Sequence, residues 1–352
     1  MMPEEKPLPA TYKIYERIRE VLIQARSRAM RAVNTEMVAC YWQIGRLIVE
    51  EEQRGEARAE YGKRLIEDLS KRLKNEFGRG FDKSNLWNMR AFYIAFPKID
   101  ASRRELSWTH YRLLLRVESP DARSFYEAET VNSRWSTREL ERQINSMLFE
   151  RLALSRDRKG VRELADKGHE IQQPIDLIKD PYVLEFTGIK QDDRFLEKDL
   201  ESALIDKLQQ FLLELGKGFA FMARQQRITL DGRHFYIDLV FYNRLTRSFV
   251  LIDLKVGDLS HQDIGQMQMY VNYYNRELTS ENENPPIGII LCSDKSDAVV
   301  RYTLPEENKQ IFASRYKLYL PTEEELAAEI VRERKTIEME KRLSESPDYK
   351  PG

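Results

Sequence analysis

Cysteine is nearly absent from this 352-residue chain. Only Cys40 and Cys292 occur, both in apolar surroundings, so a disulfide scaffold is not expected. Histidine is scarce as well: His110, His169, His234 and His261 are scattered and offer no zinc-ligand spacing. No apolar run approaches ~20 residues, so no transmembrane helix is expected. The first residues, MMPEEKPLPA, lack the apolar core of a secretory signal. No internal repeat is visible. These absences point to a cytoplasmic protein with no membrane partner. The hydrophobic fraction of 41% can build cores, the charged fraction of 33% keeps the surface soluble, and the length suggests two or three domains.

Charge of one sign is not in excess overall, but the net of −1 hides an asymmetry. Residues 1–160 carry a net of +7 and the remainder a net of −8. A basic half suits phosphate contact, because Lys and Arg displace counterions from nucleic acid.

The most informative stretch is Phe235 to Gly257, FYIDLVFYNRLTRSFVLIDLKVG. Tyr236–Tyr242 and Phe249–Val256 are rich in aromatic and β-branched residues, joined by a polar connection from Asn243 to Ser248. If Asn243 faces Ser248, an antiparallel hairpin sets Asp238 opposite Asp253 and Tyr236 opposite Lys255. Period-two alternation puts Asp253 and Lys255 on one face. Two carboxylates and an ammonium then converge on a hydrophobic sheet. Like charges held together repel, and a divalent cation between them relieves the cost. Such a site activates water and stabilises charge on a phosphodiester. The alternative is a cross-strand salt bridge, with Lys255 between two surface carboxylates.

The spacing Asp238…Asp253-Leu254-Lys255 resembles the D…(D/E)xK motif of the PD-(D/E)XK nuclease superfamily, over roughly Leu196 to Tyr319. The resemblance implies metal held by Asp238, Asp253 and Leu254, with Lys255 acting on the water. It also implies an α-β-β-β-α-β core. Matching pieces are a helix Glu201–Leu215 ended by Gly216 and Gly218, a strand Phe219–Thr229 with an Asp231-Gly232 turn, and the two motif strands. A helix capped by Ser260 or Asp263 and running to about Arg276 follows, then a last strand Ile287–Cys292. Gln266 and Tyr270 resemble the QxxxY element of some branches and share a helix face at i and i+4. Gln266 is placed to bond substrate or orient Lys255; the alternative is a polar residue on a half-exposed helix. Glu201 matches an acid this fold often adds to the metal site, or is a helix-start glutamate favoured by the macrodipole.

Tyr41-Trp42-Gln43-Ile44-Gly45, Leu86-Trp87-Asn88-Met89-Arg90, Leu106-Ser107-Trp108 and Phe211-Leu212-Leu213-Glu214-Leu215-Gly216-Lys217-Gly218-Phe219 resemble the YhcG family over most of the chain. That family joins a helical DUF1016-type region to a PDDEXK nuclease domain. The fold class implied is multidomain α+β: a helical N-terminal domain, then a restriction-endonuclease-like α/β domain with a mixed central sheet. Asp253 departs from the glutamate of many members; one methylene shorter, it draws the metal closer to the strand.

The first half reads as helices: Thr11–Val33, Thr35–Gln53, Tyr61–Phe77, Asn85–Phe96, a run from Ser107 to Arg116, one opened by Ser119-Pro120, and Ser136-Thr137 through Leu152. The pair around Gly78-Arg79-Gly80 is either a helix-turn-helix, with Lys83, Asn85, Asn88 and Arg90 near a major groove, or an ordinary helical hairpin. Trp42, Trp87, Trp108 and Trp135 read as core anchors. Arg134, Arg138 and Arg142 lie along one helix side as DNA contacts or a solvated face. The expected domains are 1–155 helical, 156–180 junction, 181–320 nuclease, and 321–352 charged helix and tail, with a helix over Thr322–Leu343. The reading is a Mg²⁺-dependent (or Mn²⁺-dependent) nuclease, a DNA endonuclease tethered to a helical recognition region, with a homodimer compatible with two-strand cutting. The alternatives are a catalytically idle nucleic-acid adaptor and a regulatory interaction protein.

Overall fold

The computed structural model describes residues 10–54, 59–78, 80–98, 106–153, 158–190, 194–294, 297–305, 307–320 and 322. The expected C-terminal helix, Thr322–Leu343, lies outside the described residues beyond its first position. The chain divides into two compact units, one up to Glu141 and one from Arg142 onward.

The first unit is helical: α1 Ala10–Arg54, α2 Ala59–Phe77, α3 Lys83–Ala95, α4 Trp108–Leu114, α5 Pro120–Ser133 and the start of α6 Thr137–Asn145. The two helices expected over Thr11–Gln53 are one. Thr35, read as a helix start, turns its hydroxyl to the Arg31 carbonyl at 3.0 Å, a bond within the helix that removes its capping role. Ile48, Ile66, Leu86 and Met89 form the core between α1, α2 and α3. Asp82 caps α3 by accepting from the Asn85 N–H at 2.9 Å.

Three of the four residues considered for a DNA groove have partners within the unit. Lys83 pairs with Glu67 at 2.5 Å and Arg90 with Glu52 at 2.7 Å. Asn85 donates to the Gly80 carbonyl and accepts from the Trp108 indole N–H at 2.9 Å. The α2–α3 pair packs around the core shared with α1. Trp42 donates to the Phe96 carbonyl at 2.8 Å, and Trp108 stacks edge-on against Phe92. Trp87 is exposed, with Arg90 over its ring. Cys40 is exposed, contrary to the apolar setting expected from its neighbours.

Gly45 sets the approach of α1 to α3. A Cβ there would fall 2.0 Å from the Met89 carbonyl oxygen. Gly45→Ala is expected to push the helices apart and destabilise this unit by ~1–3 kcal/mol. Thermal unfolding checks it; an unchanged midpoint would show that the contact relaxes freely.

The second unit holds the end of α6, α7 Leu148–Ala153, α8 Arg158–Lys167, β1 Tyr182–Val183, α9 Glu197–Asp206, α10 Leu208–Leu215, β2 Phe219–Leu230, β3 Arg233–Asn243, β4 Ser248–Asp258, α11 His261–Glu277, β5 Ile287–Asp294, α12 Asp297–Thr303 and β6 Ile311–Lys317. The single helix expected over Ser136–Leu152 breaks at Met147, which takes φ 51°. The helix expected over Glu201–Leu215 starts earlier and kinks at Lys207, yet Leu200, Leu204, Phe211 and Leu215 stay on one buried stripe. The i→i+4 bonds run through the kink, from Lys207 N–H to Ala203 and from Phe211 N–H to Lys207.

The sheet is mixed, in the order β1-β6-β5-β4-β3-β2, with β2, β3 and β4 antiparallel and β4, β5, β6 and β1 parallel. The strand expected to be last, β5, is followed by β6. One face carries α9 and α10 on Leu239, Phe241, Ile252 and Leu254; the other carries α11 on Val240, Leu251 and Ile290. Asp238 and Asp253 alternate with the first set, which turns them toward α11.

Candidate active site

The connection after β3 has the register read from sequence: Asn243 faces Ser248, and pairing runs through Leu239 with Ile252. There it stops. β3 continues along β2 to the Asp231-Gly232 turn, while β4 continues along β5 through Lys255. The expected ladder pairs Asp238–Asp253 and Tyr236–Lys255 therefore do not form, and the sheet forks at this point. Side chains take up main-chain groups beyond the fork. The Leu254 N–H donates to Asp238 Oδ2 at 2.8 Å, and the Tyr236 carbonyl accepts from Tyr270 Oη at 2.8 Å.

The fork keeps Asp238, Asp253 and Lys255 together. Asp253 is 2% exposed. Burial first, then the Asp238 charge, pushes its carboxyl up to about 7. Asp238 is also raised by burial, partly offset by the Leu254 N–H and the Gln225 amide. Lys255 Nζ stands 3.9 Å from Asp253, 3.7 Å from Glu197 and 3.6 Å from Asp263. Burial works against its ammonium, but the surrounding carboxylates outweigh this and raise its pKa. Gln266 reaches Asp253 Oδ2 at 3.5 Å and donates to Tyr270 Oη at 2.6 Å, so the i, i+4 pair does face the cleft.

Glu201, 3% exposed, joins from α9. Its link to Asp238 runs through Gln225, whose amide donates to Glu201 Oε2 at 2.7 Å and to Asp238 Oδ1 at 2.9 Å. Gln225 adopts φ 47° within β2, a conformation uncommon for a side-chain-bearing residue. Arg224 Nε lies 3.1 Å from Glu201 Oε1 but off the line of a hydrogen bond, which leaves that buried oxygen unbonded. Leu254 has a buried apolar side chain in the α9-side core, so only its main-chain oxygen is a donor to a cation.

Reading the sequence missed Gln225, Glu197 and, as a neighbour of Lys255, Asp263. Glu197 had a signal: it lies four residues before Glu201 on one helix face. Asp263 was visible as a cap of α11, a role it keeps by accepting from the Ser260 N–H at 2.9 Å. Gln225 had none, since nothing local announces the backbone twist that turns it inward.

The residues fit a divalent cation. Two crowded carboxyls resist ionising together, and a buried oxygen of Glu201 lacks a hydrogen bond. A hard cation relieves the crowding of the carboxyls and takes one or two carboxylates, with water or phosphate filling its other positions. Among the described residues no three His, Cys, Asp or Glu side chains form a cage by themselves. Main-chain oxygen, water or substrate must complete the shell.

A forked mixed sheet with an Asp…Asp-x-Lys cleft defines a PD-(D/E)XK domain, and residues 175–331 match the YhcG PDDEXK nuclease domain. Residues 17–151 match the DUF1016 N-terminal domain. The chain belongs to the YhcG family. It is 40% identical over 358 residues to the protein of Escherichia coli (strain K12) named "Putative nuclease YhcG", covering 93% of this chain and 95% of that one. Among solved structures, a repair endonuclease from Pyrococcus abyssi is 18% identical with a TM-score of 0.25, covering 38% of this chain and 50% of that one. At that score the likeness adds nothing to the family match. No described helix is long and apolar enough to cross a membrane.

Proposed function

We propose that this chain is a divalent-metal-dependent nuclease that cuts DNA internally, with Mg²⁺ as its ion and Mn²⁺ as a substitute. The observation that carries the reading is the crowding of Asp238, Asp253 and Lys255 in one cleft at the fork of the sheet. A bound divalent ion would activate water and offset charge on the phosphodiester. Asp238, Asp253 and the Leu254 carbonyl would hold it. Lys255, kept cationic by the carboxylates around it, orients the attacking water and neutralises charge developing on the phosphate. Gln266 steadies Asp253 and contacts substrate, and Glu201 supports Asp238 through Gln225. The helical N-terminal region would recognise nucleic acid, and a homodimer would supply two cuts to a duplex.

The test is incubation of the purified full-length protein with linear, circular, branched and single-stranded DNA, and with RNA, in Mg²⁺, Mn²⁺ or EDTA. Metal-dependent nicking of circular DNA is expected. Binding without cleavage in either metal would favour the idle adaptor, and neither binding nor cleavage the regulatory protein.

A further inference from the structure

A second concavity opens beside the catalytic cleft. It has a volume of 490 Å³ and is lined by Arg194, Phe195, Val256, Gly257, Ser293, Tyr316, Lys317, Leu318 and Tyr319. Its floor is the carboxyl ends of β4, β5 and β6. These strands are mutually parallel, so their ends meet at one sheet edge. Open α/β sheets bind ligands at that edge. The volume falls in the range of small-molecule sites, ~300–1,000 Å³.

Its lining is mixed in a telling way. Phe195 and Tyr319 supply aromatic faces, and Arg194 and Lys317 supply positive charge. The Lys317 ammonium is held 5.8 Å from the centre of the Tyr319 ring, so cation and ring are presented together. Tyr316 is 4% exposed, and its hydroxyl lies beside the Ser293 side chain. Ser293 is turned to Gly257, whose N–H donates to its hydroxyl at 2.8 Å and whose carbonyl accepts from it at 3.1 Å.

The cavity is coupled to the catalytic lysine. Val256 and Gly257 directly follow Lys255 on β4. Glu197 accepts from the Val256 N–H at 3.3 Å with one oxygen and faces Lys255 Nζ at 3.7 Å with the other. The cavity and Lys255 thus share Glu197 as a neighbour.

We propose that this cavity takes an unpaired nucleotide of the substrate, adjoining the scissile phosphate. The base stacks on the aromatic faces, its edge meets the Tyr316 hydroxyl, and the next phosphate lies against Arg194 and Lys317. A fully paired duplex keeps its bases stacked and cannot fill it without unstacking. The substrate class is thus DNA with a single-stranded or extrahelical nucleotide at the cut. This inference rests on the nuclease reading.

The experiment compares one DNA duplex, fully paired, with the same duplex carrying a single unpaired 2-aminopurine, beside an RNA copy that separates the two sources of such a nucleotide. Binding is measured with full-length protein in EDTA and cleavage in Mn²⁺. Quenching of the 2-aminopurine and a preference for the unpaired substrate of roughly tenfold or more are expected, the scale of one base on an aromatic ring. That preference is expected to collapse in the double variant Phe195→Ala/Tyr319→Ala, which removes the stacking faces, and to weaken in Tyr316→Phe and in the double variant Arg194→Ala/Lys317→Ala. The thermal midpoint of Tyr316→Phe is expected to hold, because the ring packed in the α9-side core is kept. Unchanged 2-aminopurine emission, or variants that weaken paired and unpaired substrates equally, would overturn the proposal. Quenching without cleavage of any substrate supports the cavity and counts against the nuclease reading instead.

Discussion

Asp253→Ala and Lys255→Ala are expected to abolish cleavage, each by roughly 10²–10³-fold or more, the scale of removing one electrostatic stabiliser from a reaction centre. The two should differ in the metal-free protein. Asp253 is buried beside Asp238, and its raised pKa means that the folded state holds a proton the unfolded state releases. The corresponding stability is full below the unfolded value near 4. It is lost as pH rises through about 7. Removing this carboxyl therefore lifts a strain that EDTA-treated wild type suffers at neutral pH. Asp253→Asn should be inactive yet more stable than metal-free wild type at pH 8, by ~1–4 kcal/mol, since each pKa unit is 1.36 kcal/mol. Lys255→Ala should be inactive and less stable, because it strips a cation from Glu197, Asp263 and Asp253. Melting curves between pH 5 and pH 8, with and without Mg²⁺, read both effects. Retained cleavage in either alanine variant would sink the catalytic assignment.

Loss of the Glu214 carboxylate is expected to destabilise the second unit strongly. Glu214 has no exposed side-chain surface and is bound by Arg151 at 2.6 Å and Arg142 at 3.2 Å. It also accepts from the Val183 N–H at 3.0 Å, while Lys179 donates to its main-chain carbonyl. Burial alone would raise its pKa, but Arg151, Lys179 and Arg142 prevail and hold it down at about 2. Removing one member of such a cluster strands buried charge, at a cost of ~3–5 kcal/mol. Glu214→Gln is expected to lose that much, read by urea denaturation. In wild type this support is present above pH ~4.3. It fades as pH falls toward about 2. A variant with wild-type stability would mean that the arginines find water instead. Arg142, considered from sequence as a DNA contact, is thus a structural cation. Residues 142–151, though inside the span matching the DUF1016 domain, pack with the nuclease domain.

The sequence was legible where one residue's neighbours decide its state. Turn chemistry and alternation gave the Asn243–Ser248 register, and Ser260 and Ser119 announced their helices. Asp238, Asp253, Lys255 and Gln266 could be brought to one place by period and offset alone. What escaped depends on partners far along the chain. The fork is held by a carboxylate and a phenol reaching main-chain groups 16 and 34 residues away. Gln225 joins Glu201 and Asp238 across 24 and 13 residues. Thr35 looked like a helix start until the structure turned its hydroxyl back into the same helix.

The bond from the Leu254 amide to Asp238 makes that aspartate part of the scaffold as well as a candidate ligand. Truncating it to alanine orphans a peptide group in the sheet, so a dead Asp238→Ala protein would confound misfolding with lost chemistry. Asparagine keeps an acceptor for the amide and sheds the charge, together with the second acceptor that Gln225 uses. Among inactivating changes at this position it is the informative one, and crystals of a trapped substrate complex are best sought with it.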